Sequence, residues 1–170
     1  MTKTITAAML AVFMLFGLPA CSFREPVAFA SDSLSISANL ESAAGRLVRM
    51  TAGEVEVVIT LNDSQATADF VKMLPLELTL IERNGFAKGM TLPRALSTHE
   101  VTTREYEIGD FGYWAAGPDL AIFYDHIYDQ TIVPVLPMGR VEKGAETMRD
   151  TSGTVRLELV PEQENGGRAE

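Results

Sequence analysis

Apolar and polar positions alternate along several separate stretches of this chain. In Glu54–Leu61 (E-V-E-V-V-I-T-L), Val55, Val57, Ile59 and Leu61 fall on one face and Glu56, Val58 and Thr60 on the other. Period-two alternation predicts a half-buried β-strand. Thr154–Val160 repeats the pattern, with Val155, Leu157 and Leu159 set against Arg156 and Glu158. The two runs are similar units, suited to pairing in a barrel that leaves no exposed edge. Leu76–Ile81 (L-E-L-T-L-I) is a third alternating run.

Between the first and third runs the period changes. Asn62-Asp63-Ser64 offers capping oxygens, and Ser64–Leu74 then places Ala66, Phe70, Met73 and Leu74 at helical spacing. Pro75 ends this helix. The best-organised stretch is Ile108–Tyr124, where two aromatic-rich runs flank Ala115-Ala116-Gly117-Pro118-Asp119. Gly-Pro-Asp is turn chemistry, so the stretch reads as a β-hairpin with its aromatics in or near the core. If the strand is regular, Tyr113 and Trp114 point to opposite faces. Met138–Val141 predicts one more short strand and Glu142–Arg149 a helical turn. Glu82–Glu100 shows no clear period; Asn84-Gly85 and Lys88-Gly89 mark turns in it. Such a loop is either a functional segment or a cover over one end of the core.

The N-terminus reads as a targeting segment. Lys3 precedes a nearly continuous apolar run, Ile5–Phe16, that is shorter than the roughly 20 residues needed to span a bilayer. Leu18-Pro19-Ala20-Cys21 then resembles a bacterial lipoprotein processing site. The resemblance implies that residues 1–20 are removed and that Cys21 carries lipid, holding the protein to the membrane. Cys21 is the only cysteine, so no intramolecular disulfide forms. Ser22 at the next position is not the Asp that retains lipoproteins at the inner membrane. The expected location is the cell envelope, facing the periplasm, at the outer membrane. Residues 21–53 are expected to be a flexible tether, with Leu40–Arg49 able to form a short helix. The domain is expected over 54–160, with a disordered tail over 161–170.

Composition narrows the partners. The chain of 170 residues is 46% hydrophobic, enough for a real core, and carries a net charge of −9. That charge argues against nucleic acid as a partner, because phosphate binding needs a basic footprint. The two histidines, His99 and His126, stand in no metal-ligand spacing, so no metal or cofactor is expected.

Four local motifs carry a family resemblance over about two thirds of the chain. They are the first strand with its capped helix ending in Met73-Leu74-Pro75-Leu76, then Ile108-Gly109-Asp110-Phe111-Gly112-Tyr113-Trp114. The other two are Leu120-Ala121-Ile122-Phe123-Tyr124, and Met138-Gly139-Arg140-Val141 before the last strand. Together they resemble the small bacterial cyclophilin-like domains. The resemblance implies a mainly β fold, a closed cyclophilin-like β-barrel of about eight strands with one or two short covering helices. True cyclophilins are peptidyl-prolyl isomerases. Rotation about an X–Pro bond meets a barrier near 20 kcal/mol, which an Arg donor lowers by stabilising the twisted amide. The family pattern needs such an Arg on a strand and a Phe-Met-x-Gln segment. This sequence has no Phe-Met-x-Gln segment and no Phe-His-Arg-like strand, so no catalytic residue is carried over.

The candidate ligand-binding residues are Tyr113, Trp114, Tyr124, His126 and Arg140. The aromatics could line a groove or simply pack. Arg140 could hold a carboxylate or peptide carbonyl, or form an ion pair, with Arg104 as a lesser candidate. His126, within Asp125-His126-x-Tyr128-Asp129, is a candidate base, but no nucleophile stands at a defined spacing from it. Asp110 and Asp119 fit turn and cap roles. The reading is a non-enzymatic binding module for a peptide or small molecule. A structural or interaction lipoprotein and a diverged periplasmic isomerase are the alternatives.

Overall fold

The computed structural model describes residues 42–161. The signal segment, Cys21, most of the expected tether and all but the first residue of the expected tail lie outside them. Eight strands close into one antiparallel barrel, in the order β1-β2-β7-β5-β6-β4-β3-β8. They are β1 (Leu47–Ala52), β2 (Val55–Leu61), β3 (Leu76–Arg83), β4 (Ala87–Thr91), β5 (Asp110–Trp114), β6 (Asp119–Phe123), β7 (Leu136–Val141) and β8 (Gly153–Leu159). One α-helix, α1 (Gln65–Val71), and one 3-10 turn, η1 (Ala145–Asp150), complete the elements. Among the described residues, no helix is long and apolar enough to cross a membrane.

Strand β1 carries the barrel back to Leu47, ahead of the boundary expected at residue 54, and takes in residues 47–49 of the stretch able to form a short helix. Val48, Met50 and Ala52 alternate into the core, and β1 pairs with β2 on one side and β8 on the other. The two strong alternating strands therefore do not pair with each other. Gly45 marks a turn: its amide donates to the Leu61 carbonyl at 2.9 Å and its φ is +73°.

Helix α1 starts as its cap residues dictate. The Ser64 hydroxyl accepts from the Thr67 amide at 3.0 Å. The carboxylate of Glu100, far along the chain, accepts from the amides of Gln65 and Ala66. Two otherwise orphaned donors thus meet a negative charge at the positive end of the helix. The inner face carries Ala66 and Phe70, both fully buried, and the Phe70 ring lies 5.8 Å from that of Phe111. Antiparallel pairing of β2 with β7 places α1 and η1 at opposite ends of the barrel. Buried Met148 of η1 joins the main core.

The 82–100 stretch contains strand β4, so it is not one long loop. Asn84 and Gly85 form the β3–β4 turn, both with positive φ. Lys88-Gly89 is not a turn; it lies inside β4, with Gly89 opposite both Ile81 and Ala121. The β5–β6 hairpin forms as expected, with Trp114 opposite Asp119.

The interior is filled by side chains, among them Met50, Ile59, Met90, Phe111, Tyr113, Leu120, Ile122 and Met138. A second cluster lies outside the wall: Phe86, Ala87, Tyr106, Ala121, Phe123 and Val135, with Trp114 packed against it. Segments from the 92–109 and 124–135 connections cover this cluster, joined by a bridge between Thr103 and Val135. Strand β6 is therefore buried on both faces, which accounts for its unbroken apolar run.

Close strand packing demands glycine in β7 as well. A Cβ on Gly139 of β7 would sit 2.3 Å from the Thr60 carbonyl oxygen of β2, a backbone atom that has little room to yield. Gly139→Ala is expected to lower the unfolding free energy by about 1–3 kcal/mol in a urea titration, the range for overpacking. An unchanged midpoint would show that β2 and β7 are not so tightly joined.

Candidate functional site

Strand register decides which side chains leave the core. Odd-numbered Arg83, Ala87, Gly89, Asp119, Ala121 and Phe123 lie on the outer face of neighbouring strands β3, β4 and β6, and Trp114 joins them from β5. Over this face opens a cleft of about 470 Å³, walled by the β3–β4 turn, the β5–β6 turn and residues 128–133. Its apolar wall is formed by Phe86, Trp114, Tyr128, Ile132 and Val133.

The wall is held by edge-on aromatic packing. The Trp114 ring stands at 89° to Phe123 with centroids 5.8 Å apart, and Tyr128 stands at 86° to Phe86 at 5.3 Å. Phe86 and Phe123 both pack on Tyr106, at 5.2 and 4.6 Å. The Tyr106 hydroxyl accepts from the Tyr128 amide at 3.1 Å. Burial, above all, raises the Tyr106 phenol above its ordinary pKa. Arg104 ties down the far wall by donating to the carbonyls of Thr131 and Ile132.

The polar floor is an ion pair. An Arg83 terminal nitrogen donates to Asp119 Oδ2 at 2.6 Å, and the other Asp119 oxygen accepts from the Thr91 hydroxyl at 2.5 Å. Arg83 reaches Asp119 by crossing Gly89, where a Cβ would lie 2.6 Å from Arg83 Nε. The glycine read as a turn residue is thus a saddle for the guanidinium. Two buried donors at this site lack a partner, Arg83 Nε and Trp114 Nε1. A buried unpaired donor costs about 1–3 kcal/mol.

Of the five residues expected from the sequence to bind ligand, the structure places only Trp114 on this cleft. Tyr113 points into the barrel, 1% exposed, and its hydroxyl accepts from the Leu96 amide at 3.3 Å. Arg140 lies on the barrel surface and donates to Asp110 Oδ1 at 2.6 Å and to the Ile108 carbonyl at 3.0 Å. That ion pair is the structural alternative to ligand binding, and it employs Asp110 as well. His126 stacks edge-on against Tyr106 at 5.0 Å, beside a separate shallow hollow with Glu105, Glu107 and Asp129. Asp125 instead pairs with Arg149 at 2.5 Å, which holds its carboxyl below the ordinary range. Among the described residues, no group of three or more His, Cys, Asp and Glu could hold a metal ion. Arg83, Phe86, Asp119 and Tyr128 escaped the sequence reading as a site. Asp119 reads from the sequence as a turn residue, and Phe86 lies in the 82–100 stretch that reads either as a functional segment or as a cover over the core.

Tyr124 belongs to a polar cluster at the barrel mouth under η1. Its hydroxyl donates to Glu82 Oε1 at 2.8 Å, and Lys88, only 6% exposed, donates to Glu82 Oε2 at 2.7 Å. Burial pushes the Glu82 carboxyl up, but the bonds from Lys88 and Tyr124 prevail and hold it below the ordinary value. Burial first, and the Glu82 carboxylate second, push the Tyr124 phenol up to about 12. A raised acid pKa stabilises the fold fully below the unfolded value of about 10, and that contribution is lost as pH rises through 12. Thermal melting should therefore fall between pH 10 and 12, and Tyr124→Phe should flatten that fall. An equally steep decline in the variant would assign the alkaline loss to other groups.

No curated protein matches this chain. In fold it is similar to a hypothetical protein from Archaeoglobus fulgidus solved in solution, with a TM-score of 0.56 and 20% identity over 70% of this chain and 97% of the other. It is also similar to McbB, solved in complex with tryptophan, with a TM-score of 0.51 and 12% identity over 72% of this chain and 46% of McbB. At such identities these likenesses concern the fold alone. Residues 50–160 match the model of the cyclophilin-like family, and the chain belongs to that family.

Proposed function

We propose that this protein is a lipid-anchored, non-enzymatic binding module of the bacterial cell envelope that holds a small molecule or a short peptide in the outer cleft. The observation that carries the reading is the cleft itself, where the Phe86, Trp114 and Tyr128 rings stand over the Arg83–Asp119 pair. Concave, mostly apolar sites of 300–1,000 Å³ with a few convergent polar groups are the usual form of small-ligand sites, and about 470 Å³ falls in that range. The ionic groups in the cleft, Arg83 and Asp119, are paired with each other. That arrangement suits holding and orienting a ligand better than transferring a proton.

The barrel favours the same face. Its interior is filled, so a ligand has no room among the core residues. Its strands close on themselves, so a peptide has no free edge along which to add a strand. The anchoring part of the reading rests on Leu18-Pro19-Ala20-Cys21 and the apolar run before it. In this proposal Cys21 carries the lipid, the membrane is the partner at the N-terminus, and the module faces the periplasm from the outer membrane.

Two measurements test the two halves. Trp114 is the only tryptophan, so intrinsic fluorescence reports on the cleft directly. In a thermal-shift screen of small molecules and short peptides, binders should raise the melting temperature and alter Trp114 emission, because ligand bound to the native state stabilises it by mass action. Phe86→Ala should abolish both responses. If no compound does either, the cleft is not a binding site. For the anchor, cells fed labelled palmitate should label the wild-type chain and not Cys21→Ala. Equal labelling of both would refute lipidation.

A further inference from the structure

We infer that the occupant of the cleft is a short basic peptide: one aromatic or large aliphatic side chain sits in the cleft, and a neighbouring Lys or Arg lies against the carboxylates beside it. This rests on the cleft being a binding site and goes on to name the chemistry of its occupant.

Two concave surfaces share Gln130. One is the aromatic cleft. The other is the shallow hollow bordered by Glu105, Glu107 and Asp129, with His126 at its side. Tyr106 links them: it lines the hollow, packs on Phe86 of the cleft and accepts from the Tyr128 amide. An apolar seat and a group of carboxylates therefore lie on the two sides of residues 128–130.

The charges inside the cleft cancel, because Arg83 pairs with Asp119. Those of the hollow do not. Asp110 and Asp125 are each held by an arginine, whereas Glu105, Glu107 and Asp129 are exposed and meet no Lys or Arg among the described residues. Arg104, next to Glu105 in the chain, is turned to the carbonyls of Thr131 and Ile132. Three unopposed carboxylates attract a cation and repel an anion. In so open a hollow an ammonium or guanidinium keeps much of its hydration, so the attraction is modest and sensitive to salt.

The apolar surface also runs past the cleft. Ile132 is 84% exposed at the rim. Ile127, 52% exposed, leans over the β3–β4 turn, where a Cβ on Gly85 would lie 3.8 Å from its Cδ1. A single ring in the cleft leaves both side chains bare, while residues flanking an anchor in a peptide can cover them. An apolar anchor with charges at the rim is the common layout of such sites. The closed barrel offers no edge for strand addition, so the peptide is read through its side chains.

The test uses the full chain and three capped peptides, Gly-Phe-Lys-Lys-Gly and its counterparts with Gln or Glu in place of both Lys. None contains Trp, so Trp114 emission reports binding. At about 20 mM salt the Lys peptide should bind at least about fivefold tighter than the Gln peptide, and the Glu peptide most weakly. Near 500 mM salt the three should converge, and replacing Phe by Ala should abolish the emission change. In Glu105→Gln/Glu107→Gln/Asp129→Asn the Lys peptide should lose its advantage; an advantage that persists there refutes the role of the hollow. Equal affinities at low salt, or a preference for Glu, overturn the basic assignment and leave the cleft as a binding site. If no peptide alters the emission but a small molecule of the thermal-shift screen does, the peptide assignment fails and the cleft reading stands. If nothing alters it, both fail together.

Discussion

Closure of the barrel through β1 is the constraint on which the rest depends. β1 satisfies the backbone groups of β2 and of β8 at once, through pairings that run from Leu47 to Ala52 and from Val48 to Thr51. Without it the two most regular strands would each present an open edge. With it, every strand has two neighbours and all inward residues share one core. α1 and η1 then cover the two ends, with Phe70 and Met148 joining that core. A closed and filled barrel leaves its interior no recognition role, so any site must be built on the outside or at a mouth.

The outside is used on one side only. β4, β5 and β6 carry Ala87, Trp114, Ala121 and Phe123 outward, and the long connections fold back to cover them. The cover is incomplete. Between the two turns and residues 128–133 it leaves the cleft, with Phe86 and Trp114 reaching from the buried cluster into its wall. The same aromatics therefore belong to a packed layer and to a concave surface. At the mouth under η1 the solution is different. There the exposed Glu82 carboxylate accepts from buried Lys88 and from the Tyr124 hydroxyl, so these polar groups pair with one another.

Much of the architecture was legible because strand periodicity is a local signal. β2, β3, the β5–β6 hairpin, β7, β8 and the capped helix each carry their pattern within one short stretch of chain. β1 was missed although Val48, Met50 and Ala52 alternate, because the Ala-Ala-Gly before it reads equally as helix or linker. β4 was missed because Gly89 looks like punctuation until Arg83 is seen to lie across it. The site was less legible still. Tyr113 and Trp114 had to face opposite ways, and so they do, yet the direction of each depends on which side of β5 becomes the core.

The sequence by itself determined a mainly β domain, a hairpin around Gly-Pro-Asp, and a family resemblance that the matching model bears out. These rest on alternation, turn chemistry and short motifs, all of which act between near neighbours. Only the tertiary structure decided that Arg83 meets Asp119, that Glu100 caps α1 and that Arg140 is occupied by Asp110. Each of these contacts joins residues 30 or more positions apart. Strand order and register bring them together, and no local pattern of side chains encodes that order.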